Sequence, residues 1–315
     1  MNDILITAPL PDFLKQPLTS TYPCHDYHGA ADKAALLNAV GGQIIGLVQG
    51  GGTVTPTALL DQLPKLQIIS VFGVGYDGVP VEYCRGRGIK VGHTPDVLTD
   101  DVADVALALT ITLSRHFHLA NRYVQAGDWP KKPLPLSTAV GGKTVGILGL
   151  GRIGKAIAQR LAACGMNVGY HGRTAKEGLY KYYPSLLEMA KAVDFLIVAC
   201  PGGPATQNIV NAEVLAALGA KGKIVNIARG SIIDESALVK ALQAGTLGGA
   251  GLDVFANEPH VPAERLTLDN VVLFPHVGSA TRETRKAMGD LVLANLAAHF
   301  AGKPLVKLIP ELQQQ

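Results

Sequence analysis

The chain has 315 residues, 48% of them hydrophobic and 17% charged, with a formal net charge of +3. At roughly 150 residues per domain that length implies about two domains. The hydrophobic content excludes intrinsic disorder, and the weak charge without Lys/Arg clusters argues against a nucleic-acid partner.

The N-terminus, MNDILITAPL, lacks the basic region and long apolar stretch of a signal peptide. Short apolar runs closed by glycine then recur, as in Ile44–Val48 before Gly50 and Val145–Leu148 before Gly149. Such runs, alternating with helical patterns, read as parallel strands of an α/β fold. Strands are expected near residues 4–8, 44–48, 67–71, 89–92, 144–148, 167–170, 194–199, 223–227, 249–252 and 271–274. Cys24, Cys84, Cys164 and Cys200 form no C-x-x-C pair and read as small buried hydrophobes in a reducing compartment.

A long helix is expected from Thr99 or Asp100, either of which can cap it, through Val102, Val105, Ala106, Leu109 and Leu113 toward Tyr123. Its apolar core is interrupted by Asp104 and falls short of the about 20 residues a membrane span needs. A cytoplasmic protein without a membrane partner is the expectation. Gly127–Pro130 ends the helix, and Lys131–Pro135 can hold neither helix nor central strand, so it reads as a crossing between domains. Trp129 lies in this joining segment. An interface anchor, a residue reaching a neighbour's site, and ordinary packing all remain open for it.

Gly149-Leu150-Gly151-Arg152-Ile153-Gly154 matches G-x-G-x-x-G, a pattern that is weak alone in a chain with 36 glycines. Here an apolar strand precedes it and a helical pattern follows, the context of a dinucleotide fingerprint. Gly149 permits the tight turn, Gly151 lets backbone N–H groups approach a pyrophosphate, and Gly154 lets helix and strand pack closely. The helix N-terminus then favours the anion. An NAD site places an acid about 20 residues on, but His171–Lys176 contains none. Arg173, with Thr174 and Lys176 beside it, suits a 2′-phosphate, because a guanidinium forks onto phosphate. NADP is therefore favoured over NAD, the alternative being that Arg173 is a solvated loop charge.

Three later strands end in chemistry-bearing residues: Arg229 after Ile224–Ile227, Glu258 in the loop after Gly251–Val254, and His276 after Val271–Phe274. Ligands of open α/β sheets lie outside the carboxyl ends of the strands. Reduction of a 2-keto acid needs a cation to hold the carboxylate and polarise the keto oxygen, for which Arg229 serves. It also needs a proton donor, for which His276 serves. A free imidazole titrates near pH 6.5, and a carboxylate such as Glu258 favours its charged form and fixes the ring. No metal-ligand pattern is visible among the nine histidines.

These segments, with Val71–Asp77, Thr94–Asp104, Asn226–Gly230, Gly251–Pro259 and Pro275–Thr281, resemble the D-isomer-specific 2-hydroxyacid dehydrogenases over most of the chain. The resemblance is closest to the NADPH-dependent glyoxylate/hydroxypyruvate reductase branch, with which Arg173 agrees. It implies that Arg229 binds substrate, that Glu258 tunes the histidine and that His276 donates the proton. It places the substrate carboxylate on the backbone of Val74 and Gly75, with Ser279 near it. Around the cofactor it places Thr99, Cys200, Pro201, Thr206, Ile227, Asp253 and Gly278.

The implied fold is α/β, with two doubly wound parallel-sheet domains, a Rossmann cofactor domain inserted into a flavodoxin-like substrate domain. The substrate-binding domain would span 1–98 plus 285–315 and the NADP-binding domain 99–284. A long final helix over 281–300 accords with that return, although two sequential domains also fit the pattern. The resemblance further implies a homodimer built on the cofactor domain. Larger 2-keto acids such as phenylpyruvate or hydroxyphenylpyruvate are the alternative substrates, and Gln49–Gly52 fits no pattern that would decide. A nicotinamide-sensing regulator is the remoter reading, since such proteins would carry partner-binding tails and little chain here lies outside the two domains.

Overall fold

The computed structural model describes residues 2–176, 178, 180–266 and 268–313, so Met1, Gln314 and Gln315 of the first expected domain lie outside it. The chain divides into two compact units, Met1–Leu98 with Thr281–Gln315, and Thr99–Ala280. Lys131–Pro135, expected to cross between domains, lies instead wholly inside the second unit. Just beyond it Thr138 and Ser114 exchange hydrogen bonds, Thr138 N to the Ser114 carbonyl at 3.1 Å and Ser114 Oγ to the Thr138 carbonyl at 2.9 Å.

The first unit is built on β1 (Asp3–Ile6), β2 (Cys24–Asp26), β3 (Ile44–Gly50), β4 (Ile68–Phe72) and β5 (Lys90–Gly92). All pairs are parallel, in the flavodoxin-like order β2-β1-β3-β4-β5. Ile4, Leu5, Ile44, Leu47, Ile68 and Ile69 are fully buried, which is why these strands read as unbroken apolar runs. Each such side chain contributes roughly 1.5–3 kcal/mol on burial. β2, Cys-His-Asp, is a short half-exposed edge strand with neither apolar run nor alternation, and so escaped the pattern. Helices α1 (Asp12–Thr21), α2 (Lys33–Val40), α3 (Thr57–Asp61) and α4 (Val81–Gly86) connect the strands. The terminal helix, Arg282–Phe300, is capped by Thr281 Oγ1, which accepts from Thr284 N. Its buried Asn295 donates to the His93 carbonyl at 3.3 Å and accepts from Lys307 N at 2.9 Å, tying helix to sheet.

The second unit holds β6 (Thr144–Leu148), β7 (Asn167–His171), β8 (Lys181–Tyr182), β9 (Phe195–Val198), β10 (Lys223–Asn226), β11 (Gly249–Leu252) and β12 (Val271–Leu273). The order β12-β11-β10-β9-β6-β7-β8, parallel throughout, is the Rossmann order 3-2-1-4-5-6 with one further strand. β8, a two-residue edge strand, was not foreseen. The helix expected to run toward Tyr123 breaks at His116, whose φ of 53° is left-handed, into α5 (Thr99–Arg115) and α6 (Phe117–Gln125). The Ser114 carbonyl, which would continue the helical ladder, is taken by Thr138 N, and α6 buries none of its residues. Asp100 does not cap α5 but lies in its first turn, and it and Asp104 one turn on pair with Arg160 at 3.0 and 2.6 Å. The remaining helices are α7 (Arg152–Ala163), α8 (Leu186–Ala192), α9 (Ala212–Leu218), α10 (Glu235–Gln243) and α11 (Ala263–Leu266). Trp129 is 72% exposed, which excludes a core role within this chain. Among the described residues no helix is long and apolar enough to cross a membrane, and the four cysteines are unpaired.

Candidate active site

The glycine turn joins β6 to α7. Gly149 has a φ of +99°, and a Cβ there would lie 2.7 Å from the Cys200 backbone, so the loop after β9 packs directly on the turn. A Cβ on Gly154 would come within 2.1 Å of the Gly149 carbonyl oxygen. Gly151 is different: a Cβ there would meet nothing within 4 Å. The space above it is open, as a pyrophosphate pressed on the backbone requires. Side chains of Ser185, Asn211 and Asp234 cap α8, α9 and α10, whereas α7 starts at Gly151 with no side-chain cap. Its first N–H groups thus point at an open surface, a donor set that fits a dinucleotide phosphate.

Beyond β7, Arg173 and Thr174 are exposed, and among the described residues Arg173 has no hydrogen-bond or ion-pair partner. Lys176 reaches back, its Nζ donating to the Leu150 carbonyl at 2.5 Å, while its backbone N donates to Tyr170 Oη. The structure thus brings Lys176 onto the glycine turn and leaves the Arg173 guanidinium available for an anion. Leu150 is buried, and exposed Arg152 opens α7 with Ile153 behind it. Thr206 Oγ1 donates to the Pro201 carbonyl at 2.7 Å and so shapes the Cys200–Thr206 loop. Ile227 is buried beneath the Arg229 turn, and Thr99 opens α5.

Arg229, Glu258 and His276 follow β10, β11 and β12, three consecutive strands of one parallel sheet, so all three leave at the same edge. Asn226 shapes the first turn: buried, it donates through Nδ2 to the Arg229 carbonyl at 2.8 Å and accepts from Ala228 N at 3.0 Å. Arg229 is half-buried, and its Nη1 donates to the Ala228 carbonyl at 2.7 Å. A Cβ on Gly230 would fall 1.9 Å from the Phe255 carbonyl carbon, so only glycine lets the Arg229 turn meet the loop that carries Glu258.

Glu258 bonds in two directions. Its Oε1 accepts from Phe255 N at 3.0 Å, and its Oε2 lies 2.7 Å from His276 Nδ1. A carboxylate only accepts, so the proton of that bond sits on Nδ1 and the ring presents Nε2 outward. Burial pushes Glu258 up, but the His276 bond, the Phe255 N–H and the charges of His276 and Arg229 outweigh it and hold the carboxyl below its ordinary range. His276 has a left-handed φ of 54°, uncommon for a non-glycine residue. Asp253, 1% exposed, sustains it, with Oδ1 accepting from Val277 N at 2.7 Å and Oδ2 from Gly278 N at 2.8 Å. Burial pushes the Asp253 carboxyl up, against the opposing pull of those two N–H groups. Ser279 follows, half-buried.

Residues 107–278 match the family described as D-isomer specific 2-hydroxyacid dehydrogenase, NAD binding domain. The chain belongs to the D-isomer-specific 2-hydroxyacid dehydrogenase family. It is 45% identical over 304 residues to glyoxylate/hydroxypyruvate reductase A of Arabidopsis thaliana, covering 96% of this chain and 97% of that one. Identity and coverage are the same for hydroxyphenylpyruvate reductase of Plectranthus scutellarioides. Among solved structures, the NADPH-dependent glyoxylate/hydroxypyruvate reductase of Sinorhizobium meliloti, in complex with NADP and malonate, superposes with a TM-score of 0.93. It is 46% identical over 98% of this chain and 97% of its own.

In the first unit of this family member, the loop after β4 holds Val74 and Gly75. Among the described residues neither backbone N–H has an acceptor, while the Val74 carbonyl accepts from His93 Nδ1 at 3.0 Å. Asn226 received no role from the sequence, although a lone polar residue closing an apolar strand was a signal for one. The same holds for Gln49, fully buried, which accepts from Thr55 Oγ1 at 2.5 Å and donates to the Thr53 carbonyl at 3.0 Å. Gln49 is thus braced from within its own loop, while Gly51 N donates to the Phe72 carbonyl at 3.1 Å.

Proposed function

We propose that this dehydrogenase reduces small 2-keto acids, glyoxylate and hydroxypyruvate first, to 2-hydroxy acids with NADPH. The observation that carries the reading is the 2.7 Å His276–Glu258 pair beside Arg229, on the three strand ends that follow the glycine turn. The glycine turn and Arg173 would hold NADPH, which would supply the hydride that the keto carbon accepts. Arg229 holds the substrate carboxylate and draws electron density onto the keto oxygen, which stabilises the developing alkoxide. The N–H groups of Val74 and Gly75 are assigned to the same carboxylate, and Ser279 to its vicinity. His276 gives the Nε2 proton to that oxygen as hydride arrives, so the product is the neutral alcohol and the imidazole regains a proton from water. Glu258 keeps the ring oriented through its 2.7 Å bond to Nδ1.

Cofactor preference rests on Arg173, exposed and without a partner among the described residues, and on the absence of an acid in 171–176. Thr99, Cys200, Pro201, Thr206, Ile227, Asp253 and Gly278 complete the proposed cofactor surroundings. A homodimer is proposed on the family resemblance alone. Exposed Phe117, Val124, Trp129 and Leu136, all in α6 and the segment after it, supply apolar surface for one. Larger 2-keto acids form a second reading, favoured by Gly50–Gly52, a loop without side chains in which Gly52 borders open space.

The test is initial rates with glyoxylate, hydroxypyruvate, pyruvate and phenylpyruvate, each with NADPH and with NADH. Turnover of the small acids with NADPH preference is expected. Activity on phenylpyruvate alone moves the substrate and keeps the mechanism. Tight NADPH binding without turnover of any acid sinks the enzyme reading.

A further inference from the structure

Arg265 on α11 is only 2% exposed, and its Nη2 lies 3.0 Å from Glu235 Oε2 at the start of α10. Asp234 already caps α10 by accepting from Ala237 N, so the Glu235 carboxylate has another occupation. Its Oε2 also accepts from the backbone N of Ala256 at 3.4 Å. Ala256 lies two residues before Glu258, and its nitrogen is among the atoms packed on Gly230, next to Arg229. A small cavity is lined by Asn226, Gly230, Glu235 and Arg265 among others. Arg265 carries a further polar atom, Nε, that is buried and without a partner among the described residues.

Stability alone gives little reason for such a pair. The Arg265 side chain is 2% and the Glu235 side chain 25% exposed, and replacing a desolvated ion pair by apolar residues of similar volume is often neutral or stabilising. What Glu235, itself held by Arg265, does bond is the Ala256 N–H, next to Phe255 whose own N–H closes on Glu258 Oε1.

We infer that the Glu235–Arg265 pair is a positioning device that fixes the Ala256 peptide and thereby keeps Glu258 Oε2 on His276 Nδ1. Neither residue touches the reacting atoms, and the inference rests on the reductase reading for what His276 does. Among the described residues, charged groups felt by the Glu258–His276 pair include Asp253 at the end of β11 and, toward Glu258, Arg229 after β10. The Glu235–Arg265 pair acts on Glu258.

The test is the double variant Glu235→Gln with Arg265→Met, which removes both charges without leaving one buried alone. Amide exchange over 253–260 should accelerate, a readout independent of turnover. The kcat for keto-acid reduction should fall about 10- to 100-fold, as a misplaced group costs, with the KM for NADPH unchanged. The alkaline limb of the rate–pH profile should move to lower pH, because the proton donor loses its carboxylate partner. Slower turnover with the limb and the exchange unmoved overturns the inference and leaves the pair a packing element. If the double variant does not fold, Glu235→Gln alone should move the limb the same way by less, and an unmoved limb again overturns it. A wild-type enzyme without turnover sinks the reductase reading and this inference with it. Wild-type turnover beside an unmoved variant sinks this inference only.

Discussion

At the carboxyl ends of β10, β11 and β12 the second unit presents side chains, Arg229, Glu258 and His276. At the ends of β3 and β4 the first unit presents glycine, Gly50–Gly52 and Gly73. A Cβ on Gly73 would lie 2.8 Å from the Gly51 Cα, so these two loops touch backbone to backbone. The first arrangement works through residue chemistry, and the second through a close approach beside amides at Val74 and Gly75 that have no acceptors among the described residues. Residue chemistry is written in the sequence at the point of use. A close approach is written in two places 22 residues apart, at Gly51 and Gly73, and becomes visible only once the chain has folded.

The sharpest way to break the side-chain half of this contrast is His276→Gln. Loss of a general acid costs typically 10²–10⁴-fold, so kcat should fall by about that factor. The dissociation constant of NADPH, followed by fluorescence titration, should hold. If cofactor affinity falls in parallel, His276 is structural and the strand-end assignment fails. Arg173→Ala comes next. A hydrogen bond to a charged group is worth roughly 1.5–3 kcal/mol, so KM for NADPH should rise roughly 10- to 100-fold while KM for NADH stays nearly level. Equal changes in both would remove the 2′-phosphate from the reading.

The backbone half is tested by Gly73→Ala. Overpacking costs typically about 1–3 kcal/mol, and the KM for keto acid should rise more than the KM for NADPH. A variant with lowered melting temperature and both KM values intact would deny the loop any part in substrate binding.

Legibility followed the same division. The parallel sheets were readable because buried strands are continuous apolar runs. The two strands that escaped, Cys24–Asp26 and Lys181–Tyr182, are short edges that bury little. The α5–α6 break escaped because it depends on Thr138 taking the Ser114 carbonyl, a contact between residues 24 apart. Arg229, Glu258 and His276 were readable as residue types at strand ends, and the structure joins Glu258 to His276 directly. Asn226, Gln49, Glu235 and Arg265 were not, because a buried polar group takes its role from partners elsewhere in the chain.

Smaller is the pH effect at Glu258. Its carboxyl is held below the ordinary range, so it stabilises the fold above its unfolded value of about 4.3. That contribution is lost as pH falls through the depressed folded value. The melting-temperature gap between wild type and Glu258→Gln should therefore be full above about pH 5 and close below about pH 4. A gap that widens on acidification would reverse the sign and break the proposed pairing.

The smallest expected effect isolates backbone contact from glycine content. Gly52 belongs to the same loop as Gly51, yet a Cβ there would meet nothing within 4 Å, and its φ lies outside the left-handed region. Gly52→Ala should therefore change stability by no more than about 0.5 kcal/mol, the ordinary range for a surface substitution. Gly73→Ala, at a glycine that does touch, is the control for the size of a real clash. If Gly52→Ala is silent for glyoxylate but raises KM for phenylpyruvate, the side-chain-free loop is what admits the larger acids. If it is silent for both, substrate size is set elsewhere and the glycines of this loop matter only where they touch Gly73.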